Sequence, residues 1–536
     1  MIRVNNIKVS LDFDFSKLTT VCAKELKIKP SDIKSAVLAK KSVDARKKND
    51  VHFILSADIE VKNEEKILKY NKNAIPVEKY EYKINRVAKP KKRPIVIGFG
   101  PAGMFASLIL AESGTNPIVL ERGADADTRK KSVEHFWNTG ELDENCNVQF
   151  GEGGAGTFSD GKLTTGTKDK RIRYIFEEFV KYGAPKEILY LAKPHIGTDL
   201  LINVVKSIRK RIIELGGEVR FNSTFTGFEQ ENGKIKGIYY TTVDNKEEYI
   251  ETDNVILATG HSARDTFEML YERKIKLSQK NFAVGVRIEH RREDIDKSLY
   301  GEFAGHKALK SADYKLVSHL ENGRSLYTFC MCPGGYVVNA SSEKNRIAVN
   351  GMSLYARNAE NSNSALLTGI TPKDLESNHP LAGMHFQREI EEKAYKAGGS
   401  NYNVPICLYG DFAEERKSEK LGKVKPSCKP TYKFALPEEY LPEFICETLR
   451  DGIKEMGKKI KGFDSKDAVI TGTESRSSSP VRIDRGEDLQ SVSLKGFYPC
   501  GEGAGYAGGI VSASVDGVKC AEAVLKNLSK NNGEQI

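Results

Sequence analysis

The sequence predicts an α/β protein in three parts: a basic α+β unit over residues 1–90, a parallel-sheet unit split between 91–270 and 466–536, and a mixed α+β segment, 271–465, inserted between its halves. Three observations carry this reading. Pro94-Ile95-Val96-Ile97-Gly98 is short and continuously apolar, the mark of a strand buried on both faces, and a glycine-rich turn and a helical stretch, Met104–Ser113, follow it. A similar strand, glycine turn and helix return at the far end, over Gly496–Cys500, Gly501–Gly505 and Gly509–Leu528. The excess positive charge is confined to the first 93 residues, where 23 Lys and Arg face 12 Asp and Glu, so that the remainder of a chain of net charge +10 is close to neutral.

The N-terminal unit reads in order. Ile2–Phe13 alternates as a strand does, and Leu18, Val21, Cys22 and Leu26 have helical spacing within Phe15–Leu26. Ile33–Ser42 and Val51–Val61 are expected as strands around the turn Asp44–Asp50, Glu64–Asn71 as a short helix and Tyr80–Val87 as a last strand. The order β-α-β-β-α-β is the ferredoxin-like pattern. Ala88–Pro94, with two prolines and four cations, reads as a linker. Further on, the helix Thr198–Leu215 is closed by Gly216-Gly217 and followed by a strand, Glu218–Phe221. Lys234–Thr242 and Glu247–Glu251 pair as a meander, and Asn254–Ala258 is another buried strand ending in Thr259-Gly260. Residues 270–465 carry no motif that can be placed, and the tail Ser529–Ile536 is polar.

Composition excludes some classes. The chain has 536 residues, 39% hydrophobic and 29% charged, a soluble globular balance for about three domains. No run approaches the ~18–20 apolar residues of a membrane span, and Met1–Asn6 has no export pattern. Nine cysteines without framework spacing are expected as reduced thiols in a cytoplasmic protein, with Cys22, Cys407, Cys428 and Cys446 as small core residues. No Cys/His ligand spacing recurs, so no metal site is expected.

Three GxGxxG patterns occur, and context separates them. Gly98-Phe99-Gly100-Pro101-Ala102-Gly103 joins a buried strand to a helix, and Glu121 ends the next strand 21 residues past Gly100. This is the Rossmann-like dinucleotide fingerprint: Gly98 for the turn, Gly100 for approach of a pyrophosphate, Gly103 for helix–strand packing, a helix N-terminus for the phosphates and Glu121 for ribose hydroxyls. Gly151/Gly153/Gly156 precedes no helix and reads as a loop lying against something flat or anionic. Gly503/Gly505/Gly508 precedes a helix but leaves no room for a second nucleotide unit. One complete dinucleotide fold spread from Pro94 to the C-terminus suits an extended FAD, held by distant segments.

These residues resemble the bacterial FAD-dependent dehydrogenases of the flavoprotein superfamily that includes glutathione reductase and p-hydroxybenzoate hydroxylase. The resemblance covers roughly Pro94 to Leu528 and rests on Ile95–Gly103 with Glu121-Arg122-Gly123, Phe150–Lys162, Val255–His261 and Tyr498–Gly517. It implies that the loop with Gly153 and Gly154 borders the flavin and that Thr259-Gly260 approaches the pyrophosphate. It further implies that Phe225 lies near the adenine contacts and that Gly501-Glu502 serves the ribityl–pyrophosphate stretch. The helix start Gly508-Gly509-Ile510 would face the pyrimidine end of the flavin, its dipole favouring negative charge there. The basic N-terminal unit lies outside the superfamily core.

The function expected is that of an FAD-dependent oxidoreductase passing hydride between flavin and a small-molecule substrate or NAD(P)H. Arg287, with His290 nearby, and Arg357 are candidates for an anionic substrate, against the alternative of structural ion pairs. Arg476 lies in a polar segment on the substrate side, while Trp137 and His135 read as packing residues. Cys330 and Cys332 form a CxC pair that either shuttles electrons or simply lines the active-site roof. The alternative function is a flavoprotein recruited to RNA or an acidic partner through residues 1–93, with a steep salt dependence as its sign.

Overall fold

The computed structural model describes residues 1–78 and 80–531. Among them no helix is long and apolar enough to cross a membrane.

The N-terminal sheet has the strand order Ile33–Asp44, His52–Val61, Ile2–Val9, Ala74–Pro76, every neighbour antiparallel. Alternation explains it: Ile2, Val4, Phe53, Leu55, Ala57 and Ile59 all turn to one buried face, with Leu18, Cys22 and Leu26 of the Leu18–Leu26 helix and Ile67 of the Glu64–Tyr70 helix. The fourth strand is Ala74–Pro76, and Tyr80–Val87 is not a strand. Tyr82, Ile84 and Val87 pack instead against the core of the next unit, the Tyr82 hydroxyl donates to Glu522 at 2.8 Å, and the Val87 N–H donates to the Ser113 carbonyl at 3.1 Å. Apolar residues at strand spacing are thus used to strap one unit to another.

The second sheet is parallel throughout, in the order Phe497–Pro499, Val255–Leu257, Ile95–Ile97, Ile118–Leu120, Glu218–Arg220. Its first strand comes from the end of the chain, so a single sheet draws on segments some 400 residues apart in sequence. An antiparallel meander, Thr224–Glu231, Lys234–Thr241 and Glu247–Glu251, packs beside it. The helix Pro101–Glu112 lies against the terminal helix Ile510–Asn531. They approach so closely that a Cβ on Gly517 would stand 2.1 Å from the Ala102 carbonyl oxygen.

The third sheet has seven strands: Val317–His319, Ser325–Cys332, Asn361–Ile370, Phe282–Arg291, Val469–Glu474, Val404–Leu408 and Tyr432–Phe434. It therefore runs to Glu474, past the boundary at 465 expected from sequence. Phe282–Arg291 pairs residue for residue with Asn361–Ile370. Val284, Val286 and Ile288 point into a core with Leu326, Leu366, Leu449 and Ile453, so the intervening Arg287 and Glu289 turn to the opposite face.

Candidate functional site

Between the parallel sheet and the seven-stranded sheet lies a cavity of about 750 Å³, lined from both. Its first end is the strand–turn–helix at Gly98. The Gly98 φ is +96°, and its N–H donates to the Leu120 carbonyl at 2.7 Å. Gly100 caps the helix that Pro101 opens, leaving backbone N–H groups of the first turn without helical partners. Glu121 is 5% exposed. Its carboxylate accepts from the N–H groups of Phe99 (2.8 Å), Gly123 (3.0 Å) and Gly151 (2.9 Å). A carboxylate has about four acceptor positions, so this one keeps room for a further donor from the cavity.

The loop predicted at Gly151–Thr157 is a short 3-10 turn, Gly154–Phe158, held from beneath by a residue that belongs to none of the sequence motifs. Arg129, fully buried, donates to the carbonyls of Asn147 (2.9 Å), Val148 (2.9 Å), Glu152 (2.7 Å) and Gly154 (2.9 Å). It shares a helix face with Ala126, Val133 and Phe136, so the available signal was an arginine in an apolar register. Gly154 stands opposite Gly100, and the Cβ position of Gly100 meets nothing closer than the Gly154 Cα, at 3.7 Å.

Most of the residues singled out from sequence come together. Gly98, Gly100, Pro101, Ala102, Glu121, Arg122, Gly154, Phe225, Thr259, Gly260, Glu502, Gly508, Gly509, Ile510 and Arg357 all line this cavity. Arg122 is held at the edge, over the Phe150 ring at 4.4 Å and paired with Asp265 at 2.9 Å. Glu502 accepts from the Gly509 N–H at 3.2 Å. Gly103, Gly153 and Gly501 lie behind the lining and shape it: Gly103 meets the Gly98 carbonyl, Gly153 donates to the Phe99 carbonyl at 2.9 Å, and the Gly501 N–H donates to Asp516 at 2.7 Å. At Gly260, Gly508 and Gly509 a Cβ would project into open space. These glycines leave a smooth, backbone-lined channel between the two helix starts, and its donor set fits an extended dinucleotide.

The far end is polar and highly paired. Arg357 reaches the cavity, but its guanidinium is held by the buried Asp160, Nε to Oδ1 at 3.0 Å. Asp160 also accepts from Ser353 and stands 3.7 Å from Lys162. Arg287 does not line the cavity. Alternation sends it into the wall, where it donates to Asn363 (2.9 Å), Glu474 (3.1 Å) and the Cys330 carbonyl (2.8 Å). His290 is on the opposite face, bonded to the Phe463 carbonyl at 2.7 Å. Arg476 lines the cavity and pairs with Glu391 at 2.9 Å. Trp137 donates to the Asn339 carbonyl at 2.9 Å and packs near Phe158, while His135 is an exposed partner of Glu141. Burial and the neighbouring Arg357 cation lower His195 to about 4, which keeps it neutral beside the cavity.

Burial pushes the Glu474 carboxyl up to about 7 against the pull of Arg287. Between the ordinary 4.5 and about 7 this group is protonated when folded and ionised when unfolded. Its contribution to stability is therefore complete below the unfolded value and lost as pH rises through about 7. Glu474→Gln removes this loss, so from pH 5 to pH 8 the variant apoprotein should gain on wild type by up to about 3 kcal/mol. Urea unfolding of both proteins at the two pH values checks it, and a pH-independent difference refutes it.

Among the described residues, one buried group, Cys500, Asp516 and Cys520, has the spacing of metal ligands. The Arg485 guanidinium already fills it, bonded to Asp516 at 2.7 Å and to the Cys520 sulfur at 3.7 Å. Among the described N-terminal cations five are paired, Arg3 with Asp58, Lys8 with Asp50, Arg46 with Asp44, Lys92 with Glu251 and Arg93 with Glu218, so most of the positive charge of this unit has no ion-pair partner among the described residues. Lys41, on the edge strand, exchanges backbone hydrogen bonds with Tyr190 (2.7 Å) and Ala192 (2.9 Å), next to cavity residues Lys193 and Pro194.

Residues 281–477 match the family described as FAD-dependent protein, C-terminal domain-like, and residues 1–60 match a domain of unknown function. An uncharacterised protein of Clostridium beijerinckii is 47% identical over 532 residues, covering 98% of this chain and 99% of its own length. Among solved structures, a flavoprotein/dehydrogenase from Cytophaga hutchinsonii overlaps 83% of this chain and 80% of its own, at 11% identity and a TM-score of 0.37. A geranylgeranyl bacteriochlorophyll reductase-like protein from Thermoplasma acidophilum overlaps 82% and 80%, at 13% identity and a TM-score of 0.37. Over nearly its whole length the chain belongs to one family with the Clostridium beijerinckii protein, its residues 281–477 match the FAD-dependent C-terminal domain, and FAD is its cofactor.

Proposed function

We propose that the protein is an oxidoreductase that passes a hydride between non-covalently held FAD and a small-molecule substrate or NAD(P)H. The observation that carries the reading is one continuous cavity that joins a dinucleotide-binding helix start and Glu121 to a polar chamber under a second sheet. Glu121 would hold the ribose of the adenosine half. The helix start at Gly100–Ala102, with Gly154, would hold the pyrophosphate, and Glu502 the ribityl stretch. When bound, the flavin supplies the two-electron chemistry.

The chain itself orients and shields. The dipole of the Ile510–Asn531 helix places partial positive charge at its cavity end, favouring negative charge there. Arg129 holds the loop that closes one wall. Lys162 and Arg357 give the chamber a positive side suited to an anionic substrate, and Arg287 acts from within the wall by fixing Glu474. The alternative, in which residues 1–93 recruit RNA or an acidic partner, rests on the excess positive charge of that segment alone.

The visible spectrum of the purified protein, followed by anaerobic addition of NADH and NADPH separately, tests this. Flavin bands near ~370 and ~450 nm, bleached by one nucleotide, are the expected result and identify the donor. Flavin bands that neither nucleotide bleaches would turn the search to small reduced metabolites as donors. A colourless protein that also takes up no added FAD would overturn the reading.

A further inference from the structure

We propose that Cys330 and Cys332 are a redox dithiol that exchanges an electron pair with the flavin of the adjoining cavity. The proposal rests on the cavity reading above and adds a second redox centre to it.

The backbone brings the two thiols together in an irregular place. Ser325–Cys332 pairs regularly with Asn361–Ile370 from Leu326 to Phe329, and the register then slips by one residue before Cys332 pairs with Asn363. This is a β-bulge, a device that contracts a strand and re-aims its side chains. Cys330 sits in it at φ +41°, a left-handed conformation costly for a residue with a side chain. Strain of this kind in a cavity wall is characteristic of functional positions. Arg357, across the same cavity, is also left-handed, at φ +50°.

The surroundings divide the roles. Cys330 lines the cavity together with Lys162, Glu474 and the Gly508–Ile510 helix start. Cys332 is completely buried behind it, its thiol 3.3 Å from the Cys330 carbonyl. The Arg287 guanidinium stands behind both, 2.8 Å from that carbonyl and 3.8 Å from the Cys332 sulfur. The Lys162 ammonium is buried and makes no hydrogen bond among the described residues. A hydrogen bond from the Cys332 thiol, together with the Lys162 and Arg287 charges, holds Cys330 well below the ordinary thiol range, whereas Cys332 is held well above it. Cys330 is therefore the thiolate that meets the cavity and Cys332 the proton-bearing partner. Elsewhere burial raises the thiols of Cys22, Cys407, Cys428 and Cys446, as suits inert core residues.

The exchange balances. In the oxidative direction the Cys330 thiolate and the Cys332 thiol join in one S–S bond, and the Cys332 S–H bond is lost. The electron pair and that proton pass to the oxidised flavin, which is left reduced and anionic. The reverse direction restores the dithiol.

Two measurements on the FAD-loaded protein decide the matter. The tryptic peptide 325–344 contains Cys330, Cys332 and no other cysteine. After oxidation of the holoprotein and alkylation in denaturant, this peptide should resist alkylation and weigh about 2 Da less than the dithiol form. Anaerobic reduction of the oxidised holoprotein should consume about four electrons per FAD, against about two for Cys332→Ser. The peptide measurement uses wild-type protein alone, so a variant that fails to fold does not leave the question open. Flavin-bearing protein that takes up about two electrons, with both thiols of 325–344 still alkylated, would overturn the dithiol while leaving the cavity reading intact. Protein with no flavin absorbance even after FAD is added would overturn both.

Discussion

Gly103→Ala should cost the protein its FAD and destabilise it by about 1–3 kcal/mol or more. The added Cβ would lie 1.9 Å from the Gly98 carbonyl oxygen, 3.0 Å from the Gly98 carbonyl carbon and 3.4 Å from a Val96 methyl. The two nearest atoms are backbone, so no rotamer change relieves the clash. Either the Pro101–Glu112 helix lifts from the sheet or the turn at Gly98 moves. The turn has no room to move, since Gly98 is itself packed on the Ala258 and Thr259 backbone. Both adjustments displace the helix start that faces the cavity and shift the Phe99 N–H that holds Glu121. Gly369→Ala is the control: it lies on an exposed strand position with nothing within 4 Å of the added atom, and little change is expected. The flavin-to-protein absorbance ratio after gel filtration and the thermal midpoint give the answer. Gly103→Ala protein with wild-type flavin content and midpoint would contradict the packing argument.

Glu391→Ala should lower stability by about 3–5 kcal/mol, because it removes the buried carboxylate between two buried guanidinium groups and leaves them only the less buried Glu343. Glu391, on the helix Ala382–Ala397, accepts from Arg264 at 2.8 Å through both oxygens, from Arg476 at 2.9 and 3.1 Å and from the Ser475 hydroxyl at 2.6 Å. Arg264 starts the helix that follows the parallel-sheet strand Val255–Leu257, and Arg476 follows the last long strand of the seven-stranded sheet. The cluster thus ties the two sheets together beside the cavity. Burial alone would raise the Glu391 carboxyl, and the two arginines overcome it and hold the group far below the ordinary carboxylate range. Glu391→Gln keeps an acceptor and should lose less. Urea unfolding checks both, and a loss under ~1 kcal/mol for Glu391→Ala would mean that Glu343, already paired with both arginines, and water suffice for them.

How far the sequence reached depended on the range of the interaction. The helix start at Gly100, the strands on either side of it and Glu121 are readable because their requirements are local: a turn with φ > 0, a close helix–strand contact and an acid at the end of the next strand. The segments that complete the cavity were placed by their glycines and by resemblance, since a strand–glycine–helix junction has the same appearance wherever it docks. Tyr80–Val87 has apolar residues at strand spacing, yet its partners are Tyr174 and Glu522 on distant helices, which no local pattern names. Arg129 and Glu391 each carried a signal, a charge among apolar neighbours on one helix face, Ala126, Val133 and Phe136 for the first and Met384, Ile390 and Ala394 for the second. That signal marks burial with a partner but does not identify the partner.

By itself the sequence determined the local geometry of dinucleotide binding and the uneven distribution of charge. Only the tertiary structure decided what the charges and thiols do. Arg287 and Arg357 look alike in the chain, but strand alternation and a ten-residue antiparallel pairing carry Arg287 into the wall behind Glu474, while Arg357 reaches the cavity held by Asp160. Cys330 and Cys332 are two residues apart in any reading. Their difference comes from a bulge opposite Asn363 that turns Cys330 to the cavity and leaves Cys332 buried behind it, with the Arg287 guanidinium behind both. Backbone requirements are written in neighbouring residues, whereas burial and electrostatics are set by groups that meet only when the chain folds.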